Sequence, residues 1–169
     1  INVISLETKN ALRSVIKLSK LIRKVRPHVT FSTLRYINFI NILSSYLSIT
    51  SVKVIIRETN HHSEIKKNRE LFDYIIDFSY HLANKVIALS NGVKEDIVAR
   101  TKINPNKVTV IYNPVDLKSI NLQKKETATN KEIDIEKKNI LNLVNVGHLE
   151  KQKGHEILIK AVSKINNIE

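Results

Sequence analysis

The residues best placed to do chemistry lie in a loop near the end of the chain. Gly147 ends the apolar run Ile140-Leu141-Asn142-Leu143-Val144-Asn145-Val146, and Gly154 opens a helical pattern through Ile157, Leu158, Ala161, Val162 and Ile165. His148, Lys151 and Lys153 lie between them. Strand, glycine turn and helix in that order make half of a βαβ unit. The loop after such a strand faces the ligand, and the helix N-terminus attracts anions. Gly147 lets backbone approach a phosphate closely, and the lysines add positive charge beside it. One reading is therefore a diphosphate site at this loop, with the Gly147 backbone and the charges of Lys151 and Lys153. The other is an ordinary βα turn with solvated lysines, because a single strand–Gly–helix is a weak signal.

A second polar stretch, Arg57-Glu58-Thr59-Asn60-His61-His62, follows an apolar run at residues 52–56. The carboxyl end of a strand in an open α/β sheet is where ligands bind. Arg57, Glu58 and Asn60 are accordingly candidates for contact with an acceptor substrate. A solvated polar loop competes with that reading. A metal site from His61, His62 and Glu64 is disfavoured, since adjacent histidines rarely face one ion.

The elements that must position these residues follow from periodicity. Asn10 is a candidate N-cap for a helix over residues 11–25, with Leu12, Val15, Ile16, Ser19 and Ile22 inward and Arg13, Lys17, Lys20 and Lys24 on the other face. Pro27 stops it. Strands are expected near 28–32, 52–57, 85–89 and 107–112, the second covered on both faces. A helix through Tyr36, Phe39, Ile40, Leu43 and Leu47 lies between the first two, its stripe interrupted by Asn38, Asn41, Ser44 and Ser45. Another spans 70–84 with Leu71, Tyr74, Ile75, Phe78 and Leu82 inward. Ser90 or Asn91 caps a short helix after the third strand. The alternation predicts parallel α/β layering over residues 1–118, a polar link over 119–139, and a strand at 140–146 followed by a helix from about 154 to 166.

Composition bounds the function. Of the 169 residues, 42% are apolar, enough for a core, and none is cysteine, so a disulfide scaffold and thiolate zinc ligands are absent. No run is long and apolar enough to span a membrane. The net charge is +12. Residues 1–60 hold ten Lys/Arg against Glu7 and Glu58, or +8 of it. Such a face suits an anionic membrane or a nucleic acid, and a basic binding module is the rival class. No RNA-binding aromatic motif or helix-turn-helix signature supports nucleic acid. The chain starts at Ile1 and has no methionine, which reads as a piece of a longer protein.

Two stretches resemble family-4 glycosyltransferases, the retaining enzymes built from two facing Rossmann-like domains (the GT-B fold). Val146-Gly147-His148-Leu149, Lys153-Gly154 and Leu158-Ile159-Lys160-Ala161 follow the pattern V-G-R-L-x-x-x-K-G-x-x-x-L-I-x-A that opens the second domain, with His148 in place of arginine. Ala83-Asn84-Lys85-Val86-Ile87-Ala88-Leu89-Ser90 and Lys107-Val108-Thr109-Val110-Ile111-Tyr112-Asn113-Pro114-Val115-Asp116 follow the pair of motifs that closes the first. The resemblance implies a partial GT-B N-terminal domain over 1–118, a linker over 119–139, and the first βα unit of a donor domain over 140–169. It implies sugar transfer from a nucleotide-sugar donor to a glycan or lipid-linked acceptor in cell-surface polysaccharide synthesis. Retention at the anomeric carbon, no obligate metal or other cofactor, no nucleic-acid partner, and a cytoplasmic location on the inner membrane face are implied with it. Gly147, His148, Lys153 and Gly154 would hold the donor diphosphate. The family's N-terminal Gly-rich loop and its glutamate pair late in the second domain are missing, so these residues alone are expected to be inactive.

Overall fold

A computed structural model of the chain describes residues 2–8, 10–65, 68–123 and 143–165. Two compact units divide between Val115 and Asp116. The first contains α1 (Ala11–Val25), β1 (Val29–Thr33), α2 (Arg35–Leu47), β2 (Lys53–Glu58), α3 (His62–Ile65), α4 (Leu71–Ser79), β3 (Lys85–Ala88), α5 (Asn91–Thr101) and β4 (Val108–Val110). The four strands form one sheet in the order β1-β2-β3-β4, and every pair is parallel. Each of the four expected strands is present, within two residues of its expected bounds.

Parallel strands in sequential order, joined by crossovers of one hand, put successive helices on one face of the sheet. The burial pattern agrees. Val54, Ile56 and Glu58 are buried, whereas Lys53, Ile55 and Arg57 alternate with them and are half-buried or exposed. Phe31 and Val29 on β1 are also exposed. The expectation that β2 is covered on both faces is corrected: among the described residues, only its helix-side face is buried. The core gathers Ile42, Ile56, Ile76, Tyr80, Val86, Ala88 and Ile97 on that side.

Helix α1 has the expected bounds, and Val15, Ser19 and Ile22 face inward while Arg13, Lys17, Lys20 and Lys24 are exposed. Ile16, expected inward, is exposed, and the side chain of Leu12 lies outside the described residues. Helices α2 and α4 differ more from their apolar stripes. On α2 the buried residues are Arg35, Asn38, Asn41, Ile42, Ser44 and Ser45, while Tyr36 and Leu47 face out. On α4 they are Asp73, Ile76, Asp77 and Ser79, and Leu71, Tyr74, Ile75 and Phe78 are exposed, as is Leu82 just beyond it.

The reason is a set of hydrogen bonds that only the inward polar groups can make. Ser32 Oγ donates to Asn38 Oδ1 at 2.8 Å, Asn41 Nδ2 donates to Ser32 Oγ at 3.0 Å, and Asn38 Nδ2 donates to the Arg57 carbonyl at 2.9 Å. On α4, Asp73 Oδ1 accepts from Arg35 Nη1 at 2.7 Å, and Asp77 accepts from Arg35 Nη2 at 3.0 Å and from Arg69 and Arg100. Burial first, then neighbouring Arg35, pushes the pKa of Arg100 down to about 10. It therefore stays charged at neutral pH and remains a partner for Asp77.

In the second unit, α6 (Leu117–Gln123) and α7 (His155–Val162) are helical. The link expected over 119–139 thus begins inside a helix, and its remainder from 124 lies outside the described residues. Of the strand expected at 140–146, residues 140–142 also lie outside them, and 143–146 are exposed and in no strand. No described strand lies beside that segment to complete a ladder, and an isolated strand satisfies none of its backbone groups. The helix expected to reach about 166 ends at Val162, and residues 166–169 lie outside the described residues.

Two substitutions separate the buried ion cluster from ordinary local stability. Asp77→Asn leaves three guanidinium groups without their shared carboxylate and should destabilise the fold by about 3–5 kcal/mol. Ser90 Oγ caps α5 by accepting from the Val93 amide at 3.2 Å, and Ser90→Ala should cost about 1 kcal/mol. Urea unfolding followed by circular dichroism checks both; an Asp77→Asn loss no larger than that of Ser90→Ala would contradict the role given to the cluster.

Candidate functional site

The candidate acceptor residues sit where β2 ends. Side chains alternate along a strand, so Arg57 and Glu58 leave opposite faces of the sheet. Arg57 Nη2 donates to Asn113 Oδ1 in the segment after β4. Glu58 turns into the helix layer, is 1% exposed, and accepts hydrogen bonds from the Tyr80 hydroxyl and, at 3.1 Å, from His62 Nε2. Asn60 is exposed and lines a cavity of about 540 Å³ together with Glu58, Thr59 and His62 from β2 onward, and Arg35, Tyr36 and Ile37 from the start of α2. The structure brings Glu58 and Asn60 to one cavity and puts Arg57 elsewhere along the same sheet edge.

The turn after β2 is held from α5. Asp96, 4% exposed, accepts from the amide of His62 at 3.1 Å and from that of Ser63 at 3.3 Å. His61 Nδ1 lies 3.6 Å from Asp96 Oδ1, whereas His62 faces Glu58. The two adjacent histidines therefore turn to different carboxylates. Among the described residues, no three His, Asp or Glu side chains are close enough to hold a metal ion.

Tyr80, Asp96, Arg35 and Asp77 escape a reading of motifs, although their spacing carries a signal. Asp73, Asp77 and Tyr80 recur at four and three residues, and Asp96 and Arg100 at four, which puts each set on one helix face. The competing apolar stripe Leu71, Tyr74, Ile75, Phe78 is stronger by hydropathy, and nothing local says which face turns inward.

The candidate donor residues lie in the second unit. A Cβ built on Gly147 would meet Lys153 Cγ at 3.3 Å, so the aliphatic stem of Lys153 runs over this glycine. Gly154 has φ +69°, a left-handed conformation that lets a 3₁₀ turn at Lys151–Lys153 pass into α7. The His148 carbonyl accepts from the Glu150 amide at 2.7 Å and from His155 Nε2 at 2.9 Å, and Asn145 Nδ2 donates to His155 Nδ1 at 2.9 Å. His155, which the motif does not single out, thus ties the two sides of the loop together. The His148 and Lys153 side chains are exposed. The loop presents a lysine beside a glycine at a helix N-terminus, an arrangement able to receive an anion.

Comparisons with known proteins bear on the whole chain. A family model described as Glycosyltransferase Family 4 matches residues 3–119. N-acetylgalactosamine-N,N'-diacetylbacillosaminyl-diphospho-undecaprenol 4-alpha-N-acetylgalactosaminyltransferase of Campylobacter jejuni subsp. jejuni serotype O:2 is 27% identical over 159 residues, covering 89% of this chain and 40% of that protein. Among solved structures, the apo form of the lipopolysaccharide outer core galactosyltransferase WaaB superposes with TM-score 0.51 at 20% identity, over 63% of this chain and 27% of the other. That likeness is one of fold, and it agrees with the Rossmann-like parallel sheet described above. The chain spans well under half the length of either protein. With the family model covering more than two-thirds of its residues, the chain belongs to glycosyltransferase family 4.

Proposed function

We propose that these residues form the acceptor-side half, and the beginning of the donor side, of an enzyme that moves a sugar from a nucleotide-sugar donor to a glycan or lipid-linked acceptor. The observation that carries this is the family match over residues 3–119, which falls on the unit whose sheet edge gathers Arg57, Glu58, Asn60 and His62. The relative's name adds support, because it specifies a saccharide linked to diphospho-undecaprenol as what receives an N-acetylgalactosaminyl group. Synthesis of a cell-surface polysaccharide at the cytoplasmic face of a membrane is the setting we propose.

In such a transfer the leaving nucleoside diphosphate gains negative charge, and fixed positive groups stabilise it. Lys153, draped over Gly147, and the backbone at Gly147 and Gly154 are the groups we assign to that task, with His148 beside them. Cationic side chains and amides of this kind can act without a metal, and we propose a metal-free, retaining transfer. The donor site needs chain beyond these 169 residues, so the chain alone should not turn over.

The direct test is transfer of labelled sugars from a panel of nucleotide sugars to polyprenyl-diphosphate-linked saccharides. It uses the protein expressed with its flanking coding sequence, beside the 169-residue chain. No label on any saccharide from the longer protein would overturn the proposal, and turnover by the short chain would overturn the division of labour. In the longer protein, Lys153→Ala should lose about 2–4 kcal/mol of transition-state stabilisation in kcat/KM. Lys151→Ala should lose much less, and His148→Arg should keep or raise activity. Near-normal kcat/KM for Lys153→Ala with a defect in Lys151→Ala would mean that the wrong lysine has been assigned.

The basic face of α1 supports peripheral membrane attachment. Arg13, Lys17, Lys20 and Lys24 are exposed along it, and no described helix is long and apolar enough to cross a membrane. Binding to anionic vesicles should exceed binding to neutral ones and weaken as salt rises. Equal binding to both, or tighter binding to RNA than to anionic vesicles, would count against this attachment.

A further inference from the structure

Helix α4 is inside out for a helix that faces water. Of its nine residues, Asp73, Ile76, Asp77 and Ser79 are buried, and the other five are Leu71, Phe72, Tyr74, Ile75 and Phe78. Both carboxylates thus face the protein, and every side chain that faces away from it is apolar or aromatic. Leu71 is 78% exposed and Phe78 71%. The strip extends onto α2, where Tyr36 stacks on Phe72 with ring centroids 6.3 Å apart and Phe39 meets the same ring edge-on at 5.5 Å. The exposed residues of α2 are Tyr36, Ile37, Tyr46 and Leu47, again without a charge. An exposed apolar surface of this kind marks a site of interaction.

The charges beside it select the partner. Helix α2 packs against α1 as well as α4, which joins the three. Arg13, Lys17, Lys20, Arg23 and Lys24 are exposed on α1, and none of the residues of the three helices is an exposed carboxylate. Glu70, just before α4, is tied into a capping box with Asp73. Arg69, also just before α4, holds its guanidinium carbon 4.1 Å from the centre of the Tyr74 ring. An anionic lipid surface fits both features. Fixed cations meet the headgroups, and aromatic and aliphatic side chains enter the boundary between headgroups and acyl chains. A second copy fits less well, because isologous pairing of this surface brings two cationic faces together.

We infer that the outward face of α4, with Tyr36 of α2, enters the headgroup region of an anionic bilayer while the α1 cations hold the surface. The inference rests on the membrane attachment proposed above and deepens it, because it adds an apolar contact that salt does not screen.

Sedimentation with vesicles tests it, using the protein expressed with its flanking coding sequence. The probes are phosphatidylcholine vesicles with and without phosphatidylglycerol, at low and at high salt. Binding to the anionic vesicles should fall as salt rises and keep a salt-resistant remainder. Leu71→Ser and Phe78→Ser should each weaken it roughly tenfold, the scale of one large apolar side chain left in water, and together they should abolish the remainder. Both positions are exposed, so melting curves should match the unmodified protein. The 169-residue chain has no tryptophan, so Phe78→Trp places a single reporter in it. Its emission should move to the blue on anionic vesicles and be quenched by brominated lipid. Phe31→Trp, on the opposite face of the sheet, should show neither effect. The inference is overturned if the serine variants bind as the unmodified protein does, if high salt abolishes all binding, or if brominated lipid quenches Phe31→Trp instead of Phe78→Trp. A blue shift of Phe78→Trp that grows with protein concentration in the absence of lipid also overturns it, since a second copy then covers α4. Salt-sensitive binding untouched by the serine variants removes only the α4 contact and leaves attachment through α1 standing; absence of binding to any vesicle removes both. Failure of the transferase reading shows separately, as absent transfer in the unmodified longer protein.

Discussion

The fold turns on a carboxylate that is almost wholly buried. Asp77 is 3% exposed and is met by Arg35 from α2, Arg69 from the approach to α4, and Arg100 from α5. A buried charge is tolerated only when paired and hydrogen-bonded. Once α4 carries Asp73 and Asp77 inward, the three arginines must come with them, and the rotation of α4 and the arrangement of its neighbours are fixed together. The apolar side chains of α4 are turned outward as a consequence.

The same cluster extends to the sheet edge. Arg100 reaches both Asp77 and Asp96, and Asp96 holds the backbone where α3 begins. One turn beyond Asp77, Tyr80 fixes Glu58, and Glu58 orients His62. A single run of paired charges therefore sets both the helix layer and the polar groups at the carboxyl end of β2. Arg57 belongs to the other face of the sheet and is organised separately, through Asn113.

The loop from Gly147 to Gly154 is built by close approach instead of charge pairing. Gly147 has no Cβ, so the stem of Lys153 can lie against it, and Gly154 adopts a left-handed turn that aims α7. His155 braces the loop with hydrogen bonds to Asn145 and to the His148 carbonyl. These are local contacts within about ten residues, which is why a short motif is enough to reveal the loop.

The sequence by itself determined the four strands of the sheet, their parallel sense, the bounds of α1, and the polar stretch that follows β2. Those features follow from local apolar runs, from caps and prolines, and from motif spacing. Tertiary structure alone decided which faces of α2 and α4 turn inward. By hydropathy, Leu71, Tyr74, Ile75 and Phe78 outweigh Asp73 and Asp77, but hydropathy does not register Arg35 and Arg100 arriving from α2 and α5. It also decided that Glu58 is a buried brace while Asn60 stands at the cavity. A strand's alternation separates neighbours onto opposite faces, and only the position of the helix layer says which face is closed. The segment at 143–146 shows the same dependence in reverse: its residues favour a strand, but a strand exists only where another lies beside it to complete its hydrogen bonds.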